Sequence, residues 1–286
     1  MSMQGSVSIA FALTAFAGLS TGLGALVVFF TRRPKLTMLA FGLGFSSGVM
    51  VYISLVELLP LAMQSFSENL EPGSAWIAVA CFFGGIAISA IIDRLVPEPS
   101  NPHEVVALED VHRASAGRSG FSSPDDSHRD DSHRSKSLSR LGLLSAVAIG
   151  VHNFPEGMAT FASAIQDVSL GTSIAVAVAI HNIPEGVAVA VPVFFATGSR
   201  GKALLYSFAS GLAEPIGALI VYLALMPLLE ANPLVIDGML AAVGGIMVFI
   251  SFDELLPTSH EYGSGHASIL GLILGMAVMA ISLLLL

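Results

Sequence analysis

The side chains best suited to chemistry in this sequence belong to a six-residue motif that occurs twice. The two copies are HNFPEG at 152–157 and HNIPEG at 181–186. In each copy the His and the Glu are four residues apart, so on a helix both side chains lie on one face, within reach of a single ion. Imidazole, amide and carboxylate ligands suit zinc and neighbouring first-row divalent ions, whereas an all-oxygen set would favour magnesium or calcium. The motifs therefore predict a transition-metal site.

Seven residues are the candidate metal ligands. They are His152, Asn153, Glu156, His181, Asn182, Glu185 and Glu214. Glu214 comes from a third apolar segment and could close the site from there, and three carboxylates could hold one ion or two. The two Asn residues could be ligands or could pair across helices. A polar network that only holds the helices together is the competing interpretation of the whole set.

Prolines next to these residues add a second property. Pro155, Pro184 and Pro215 have no N–H, so each leaves the carbonyl oxygen four residues earlier without its helical partner. Freed oxygens inside a membrane are tolerated only where protein, water or an ion satisfies them. The freed carbonyls, which are further candidate contacts for a cation, are those of Val151, Ile180 and Gly211.

The chain that must position these residues is strongly apolar. Of its 286 residues, 54% are hydrophobic and 12% charged, and the mean hydropathy is +0.79. Soluble domains average about 25% charged residues, so an ordinary soluble enzyme is excluded. Twelve Lys and Arg residues in such a chain do not form a nucleic-acid surface. The single cysteine, Cys81, excludes an intramolecular disulfide and a Cys-rich metal site.

Apolar windows of about 20 residues, the length that a membrane helix requires, recur along the whole chain. We predict an all-α polytopic membrane protein with eight transmembrane helices. The predicted spans are 6–30, 36–60, 73–95, 139–164, 170–195, 202–225, 234–257 and 266–286. The two motifs and Glu214 then lie near the bilayer midplane. Ionisable residues at that depth are costly without a partner, which makes them functional candidates.

The basic residues predict the orientation. All twelve Lys and Arg residues lie in, or at the ends of, the connections between spans one and two, three and four, and five and six. By the positive-inside rule these connections are cytoplasmic and both termini are outside. We therefore expect a multi-pass protein of the cell inner membrane.

The longest connection, 96–138, has a different composition. It is rich in Ser, Asp and Arg and contains four of the eight His residues, including His128 and His133 within SPDDSHRDDSHR. We expect this cytoplasmic loop to be disordered. It is either a flexible linker or a segment that collects divalent ions weakly.

The sequence also contains an internal repeat. Residues 44–60 and 241–257 are identical at nine of 17 aligned positions, and a fainter match joins 18–30 with 211–223. Spans one and two thus pair with spans six and seven, which are predicted to run in the opposite direction. Such an inverted-topology repeat is typical of secondary transporters with a midplane substrate site. The predicted domains are 1–95 (spans 1–3), 96–138 (the loop), 139–198 (spans 4–5 with both motifs) and 199–286 (spans 6–8).

Residues towards the ends of the repeated spans are candidates for an ion pathway. Glu57 lies near the outer end of span two, and its repeat mate Glu254, beside Asp253, lies near the inner end of span seven. These carboxylates either line opposite mouths of one pathway or mark the membrane boundary before the prolines that follow. The Met50 thioether could touch a soft ion, or could simply pack in the core.

Three glycine pairs at four-residue spacing predict close helix packing. They are Gly18–Gly22, Gly44–Gly48 and Gly271–Gly275. Small-residue faces of this kind leave a homodimer open as an alternative to a monomer.

Two other classes compete with a carrier. An intramembrane metalloprotease would need an HExxH motif, which the sequence lacks, so we do not expect an enzyme. A metal-selective channel or a metal sensor could use the same buried site, although the inverted repeat favours a carrier.

The motifs, together with GLAEP in span six and the SLVELLP and SFDELLP segments, resemble the ZIP (Zrt-, Irt-like) family of divalent-metal transporters, specifically its bacterial ZupT subgroup. The resemblance covers all eight spans. It implies a three-two-three helix arrangement, sliding of transport helices past a scaffold, and a binuclear centre. It assigns one site to the region of His152, Glu156, His181 and Glu185, which Met50 approaches. A second site would use Asn153, Asn182, Glu214 and the two bridging Glu residues.

The implied activity is uptake of zinc, and in many members of iron, manganese, cobalt or cadmium, into the cytoplasm. The metal ion is then the substrate, and no cofactor is implied.

Overall fold

A computed structural model describes residues 3–30, 36–71, 73–95, 149–225, 232, 234–262 and 265–285. Within these ranges the chain forms helices and no strand. Loop 96–138, with His128 and His133, lies outside the described residues. The helices are α1 (Met3–Gly24), α2 (Val27–Phe30), α3 (Leu36–Ile53), α4 (Leu59–Asn69), α5 (Ala75–Leu95), α6 (149–166), α7 (Val168–Thr197), α8 (Arg200–Gly211), α9 (Ala213–Ile220), α10 (Leu234–Ile250), α11 (Leu256–Tyr262) and α12 (Gly265–Leu285).

Seven helical stretches in the described ranges are long and apolar enough to cross a membrane. They are Val7–Gly24, Thr37–Asn69, Ala75–Arg94, Val168–Val191, Arg200–Ala224, Leu234–Glu261 and His266–Leu285. The prediction of an all-α chain with many apolar spans agrees with them. Helix α6, which carries HNFPEG, is described from residue 149 onward and is less apolar because the motif occupies much of it.

The repeated SxxEL sequence forms the same local structure in both copies. Ser54–Leu58 and Ser251–Leu255 are each one turn of π-helix, closed by bonds from the N–H of Leu59 to Ser54 O and from the N–H of Leu256 to Ser251 O. The proline that follows each turn cannot donate to the carbonyl four residues earlier, which weakens α-helical bonding there. π-Turns of this kind are frequent at functional sites.

The helices divide into two bundles. We call α1, α6, α7, α8 and α9 the motif bundle, because it contains both HNxPEG copies. The support bundle contains α3, α4, α5, α10, α11 and α12. The most extensive packing is of α1 on α7 in the motif bundle, and of α3 on α12 and α5 on α10 in the support bundle. Between the bundles, α7 packs on α3 and α12 less extensively.

Glycines lock the helices within each bundle. A Cβ on Gly18 would overlap the carbonyl oxygen of Gly211, and one on Gly48 would overlap that of Leu272. Gly44, Gly271 and Gly275 are crowded by backbone oxygens in the same way, and Gly22 by the ring of Phe208, which agrees with the close packing predicted from their spacing. Across the described ranges, every glycine whose Cβ would overlap a neighbouring helix backbone does so within one bundle. At the boundary, a Cβ on Gly42 would lie 3.0 Å from the side chain of Pro184.

Adjacent glycines in α5 test this packing. A Cβ on Gly85 would overlap the backbone of Ala242 in α10, whereas one on Gly84 would meet no atom within 4 Å. We predict that Gly85→Ala lowers the free energy of unfolding by about 1–3 kcal/mol, because overpacking forces the helices apart. Gly84→Ala should leave it unchanged or slightly raised. Thermal unfolding of both variants in detergent, followed by size-exclusion chromatography, checks this; equal midpoints would contradict backbone contact between α5 and α10.

Candidate metal centre

A tight turn between α6 and α7 brings the two motifs side by side. Asp167 is the only residue between these helices, and its Oδ1 accepts a hydrogen bond of 2.9 Å from the N–H of Leu170, which caps α7. Glu156 lies 11 residues before Asp167 and His181 lies 14 residues after it. Because both helices rise 1.5 Å per residue, the motifs reach similar heights on antiparallel neighbours.

Glycine contacts place α9 beside the motif on α6. A Cβ on Gly157 would overlap the backbone of Glu214, and one on Gly217 would overlap the carbonyl oxygen of Phe154. The backbones of α6 and α9 are therefore in direct contact at the motif. This contact fixes the height of Glu214 relative to Glu156.

Three residues from the two motifs form a compact set of potential ligands. One ligand atom from each of Glu156, His181 and Glu185 can be chosen so that all three lie within 4.8 Å of one another. His181 Nε2 lies 3.1 Å from Glu156 Oε1, and all three residues are fully buried. The 3.1 Å contact joins the two motifs, and His181 with Glu185 brings the i, i+4 pair of one motif into the same set, in agreement with the spacing. The packing of α6 against α7 adds Glu156 to this pair.

The Asn residues lie beside the same carboxylates. Asn182 Nδ2 donates to Glu214 Oε1 at 2.5 Å and to the carbonyl of Ala17 at 2.9 Å. The amide of Asn153 satisfies its neighbours when its nitrogen donates to Glu185 Oε2 at 3.1 Å and its oxygen accepts from Thr21 Oγ1 at 3.2 Å. Helix α1 thereby holds both amides against the carboxylates.

Several buried oxygens at this site have no hydrogen-bond donor among the described residues. They are Glu156 Oε2, Asn182 Oδ1, Glu185 Oε1 and Glu214 Oε2. An unsatisfied buried acceptor costs about 1–3 kcal/mol, and more when it is charged. Divalent cations bound at this cluster are suited to satisfy such oxygens. A closed polar network, the competing interpretation, would leave fewer acceptors open.

Comparison with known proteins agrees with this chemistry. The model of the family described as ZIP zinc transporter matches residues 4–283. This chain belongs to the ZIP family. It is 53% identical over 279 residues to the zinc transporter ZupT of Akkermansia muciniphila, covering 97% of both chains. It is 50% identical over 277 residues to ZupT of Streptococcus mutans (96% and 97% covered), and 50% over 283 residues to ZupT of Nitratidesulfovibrio vulgaris (99% and 98% covered). The recognition of the family from its motifs is confirmed, and together with the seven apolar helices it makes this a multi-pass membrane protein.

The remaining His of the ZIP motifs lies next to Glu254. His152 Nε2 is 2.9 Å from Glu254 Oε2, which lies in the second π-turn, and both side chains are buried. A residue that the sequence placed near a membrane mouth is therefore in contact with the motif. Its repeat mate Glu57 is half-buried and Asp253 is exposed. Met50 is fully buried in the main core.

The residues whose carbonyls the prolines free are Val151, Ile180 and Gly211. The Gly211 oxygen lies against the backbone of Gly18. Val151 and Ile180 line apolar surface grooves beside Pro155 and Pro184. Contact of these carbonyls with a cation stays a prediction.

One buried carboxylate was missed in the sequence. Asp237, at the start of α10, accepts hydrogen bonds from Ser65 Oγ at 2.6 Å and from Gln166 Nε2 at 2.7 Å. Asp237 and Ser65 belong to the support bundle, and Gln166 ends α6 in the motif bundle. An acidic residue inside an otherwise apolar span was the available signal.

Removal of a central carboxylate tests the metal centre. We predict that Glu185→Gln weakens zinc binding to the purified protein at least tenfold, because a neutral amide replaces a buried anionic ligand. Glu68→Gln, at an exposed carboxylate on α4, is the matched control and should keep the wild-type affinity. Equilibrium dialysis with radioactive zinc measures both. If Glu185→Gln binds zinc as tightly as the wild type while remaining folded, Glu185 is not a ligand.

Proposed function

We propose that this protein is a secondary transporter that carries divalent transition-metal ions into the cytoplasm, with zinc as the main substrate. The observation that carries this proposal is the fully buried set of Glu156, His181 and Glu185, whose ligand atoms lie within 4.8 Å of one another. A site so deep in a multi-pass protein favours carriage of an ion over surface sensing. The curated relatives, named zinc transporters, support zinc as the first substrate.

We further propose a binuclear centre with Glu156 and Glu185 as bridging carboxylates. His152 and His181 would complete one metal site on one side of the bridge. Asn153, Asn182 and Glu214 would complete the other. The contacts of Asn182 with Glu214 and of Asn153 with Glu185 support a second cluster of oxygen ligands. Such a mixed set would also take iron, manganese, cobalt or cadmium.

The proposed architecture is eight spans in a 3+2+3 arrangement with an inverted repeat. The units are 1–95, 96–138, 139–198 and 199–286, with both termini outside and 96–138 cytoplasmic. The matching π-turns of the two repeat copies support their common origin. The cell inner membrane is the expected location, and a homodimer is a candidate assembly.

The proposed motion is a sliding of the motif bundle against the support bundle. The glycine contacts favour two units that are internally rigid, because they join backbones only within each bundle. Polar contacts of the described residues cross the boundary at separate points, among them Ser46 to the His181 carbonyl, Ser282 to the Ser173 carbonyl and Gln166 to Asp237. The contact of His152 with Glu254 supports Glu254 as the next residue to bind an ion that leaves the centre. Glu57, Asp253 and Met50 are further candidates for the pathway.

Zinc uptake into proteoliposomes tests the transport function. We predict saturable uptake by the wild type and at least a tenfold loss in Glu156→Ala and Glu185→Ala, because each variant lacks a carboxylate of the central cluster. Glu68→Gln should transport normally. Normal uptake by both central variants, if they insert and fold, would make the motif structural. Flux that rises in proportion to the gradient without saturation would favour the channel alternative.

Cross-linking tests the sliding motion. In a Cys81→Ser background, Gln166→Cys with Asp237→Cys places thiols across the bundle boundary, whereas Ser65→Cys with Asp237→Cys places them within the support bundle. A short thiol-reactive bis-methanethiosulfonate should abolish zinc uptake in the first pair, with recovery on reduction.

The second pair is the matched control, because both pairs lack the Asp237 carboxylate. It should cross-link and retain its own uncross-linked rate within about twofold. Undiminished uptake by the cross-linked first pair would show that the bundles do not move apart at this point.

A further inference from the structure

Two apolar grooves lie at the boundary between the bundles. The larger, about 300 Å³, lies between α3 and α7, and we call it the α7 groove. The smaller, about 190 Å³, lies between α6 and the helices α5 and α10, and we call it the α6 groove. Each groove therefore has one wall from the motif bundle and one from the support bundle.

The two grooves are equivalent through the duplicated motif. The α7 wall of the first groove consists of Ile180, Ile183, Pro184 and Val187. The α6 wall of the second consists of Val151, Phe154, Pro155 and Met158, which occupy the same four positions relative to the HNxPEG copies. Positions separated by three, four and seven residues form one helical face. Each groove thus lies on the back of a helix whose other face carries the metal ligands.

Hydrocarbon is the fitting occupant of such a groove. The α7 groove is lined by apolar side chains and one glycine, and its rim residues Met38 and Ile183 are 59% and 42% exposed. Apolar cavities of about 150 Å³ stay dry and take apolar ligands. The groove lies level with HNIPEG, inside a membrane-crossing helix. At this depth the apolar molecules that surround the helix are the acyl chains of the bilayer lipids.

We propose that each groove binds an acyl chain of a bilayer phospholipid, and that the chain in the α7 groove acts as a wedge between the bundles that sets the transport rate. Binding requires only the multi-pass structure. The effect on rate rests on the proposed function, because it requires the bundles to move during transport. The α6 groove is less suited to a test, since Glu254 forms part of its wall.

Photolabelling measures the binding. The probe is a phosphatidylcholine with a mid-chain diazirine, mixed into nanodiscs that contain the full-length protein, with adducts mapped by mass spectrometry. Labelling of α7 at the groove should saturate at low probe fraction. Labelling at Ile216 on α9, which is 51% exposed and outside both grooves, should rise linearly. Equal, linear labelling at both places would overturn the proposal.

A matched pair of variants tests selectivity. Ile183→Trp fills the α7 groove, and Ile216→Trp makes the same change on exposed apolar surface; each position lies two residues from a motif-bundle carboxylate. Groove labelling should fall at least fivefold in Ile183→Trp and stay unchanged in Ile216→Trp. If Ile183→Trp fails to fold, Ile180→Trp fills the same groove. Groove labelling that falls as protein density rises would mean that a second copy covers the groove, which also overturns the proposal.

Zinc uptake separates the two parts of the proposal. Uptake should change at least threefold in Ile183→Trp relative to Ile216→Trp, because a permanent side chain replaces an exchangeable lipid. Lost labelling with unchanged uptake would overturn the wedge while leaving the binding site. Absence of uptake by the wild type would overturn the proposed function and the wedge, whereas saturable groove labelling would still establish the binding site.

Discussion

The free energy required to bury charged carboxylates is the main physical constraint on this structure. Glu156, Glu185 and Glu214 are fully buried, and each keeps an oxygen that no described residue satisfies. A buried ion costs several kcal/mol even after relaxation, against a total stability of about 5–15 kcal/mol for a typical domain. The charge must therefore be balanced by a bound cation or a proton. The tight α6–α7 turn and the Asn contacts hold the carboxylates where one ion can balance more than one of them.

Holding these groups together requires rigid helices around them. Between helices in a bilayer the hydrophobic effect supplies little attraction, so close packing of small residues takes its place. The glycines at α1–α8, α6–α9, α3–α12 and α5–α10 supply that packing within each bundle. At the boundary the described contacts are side-chain packing, hydrogen bonds and the contact of His152 with Glu254, and two grooves remain. The proposed sliding and the proposed lipid site both require this looser packing.

Much of this organisation follows from local sequence. The duplicated motif, the apolar spans and the glycine spacings are visible within short windows, because helical periodicity determines them. The pairing of His181 with Glu156 and of His152 with Glu254 is not, since it depends on how helices far apart in the chain pack. The importance of Asp237 likewise emerges only when Ser65 and Gln166 are brought to it.

The prolines Pro155 and Pro184 lie on the groove side of the motif helices, on the opposite face from the candidate ligands. Pro155 and Pro184 line the grooves together with Val151 and Ile180, whose carbonyls lack their helical donors. A helix is about 10 Å across, so the groove and the ligands are separated by a single helix. The proposed acyl chain would therefore press on the same helix that carries the candidate ligands, within one helix diameter of them.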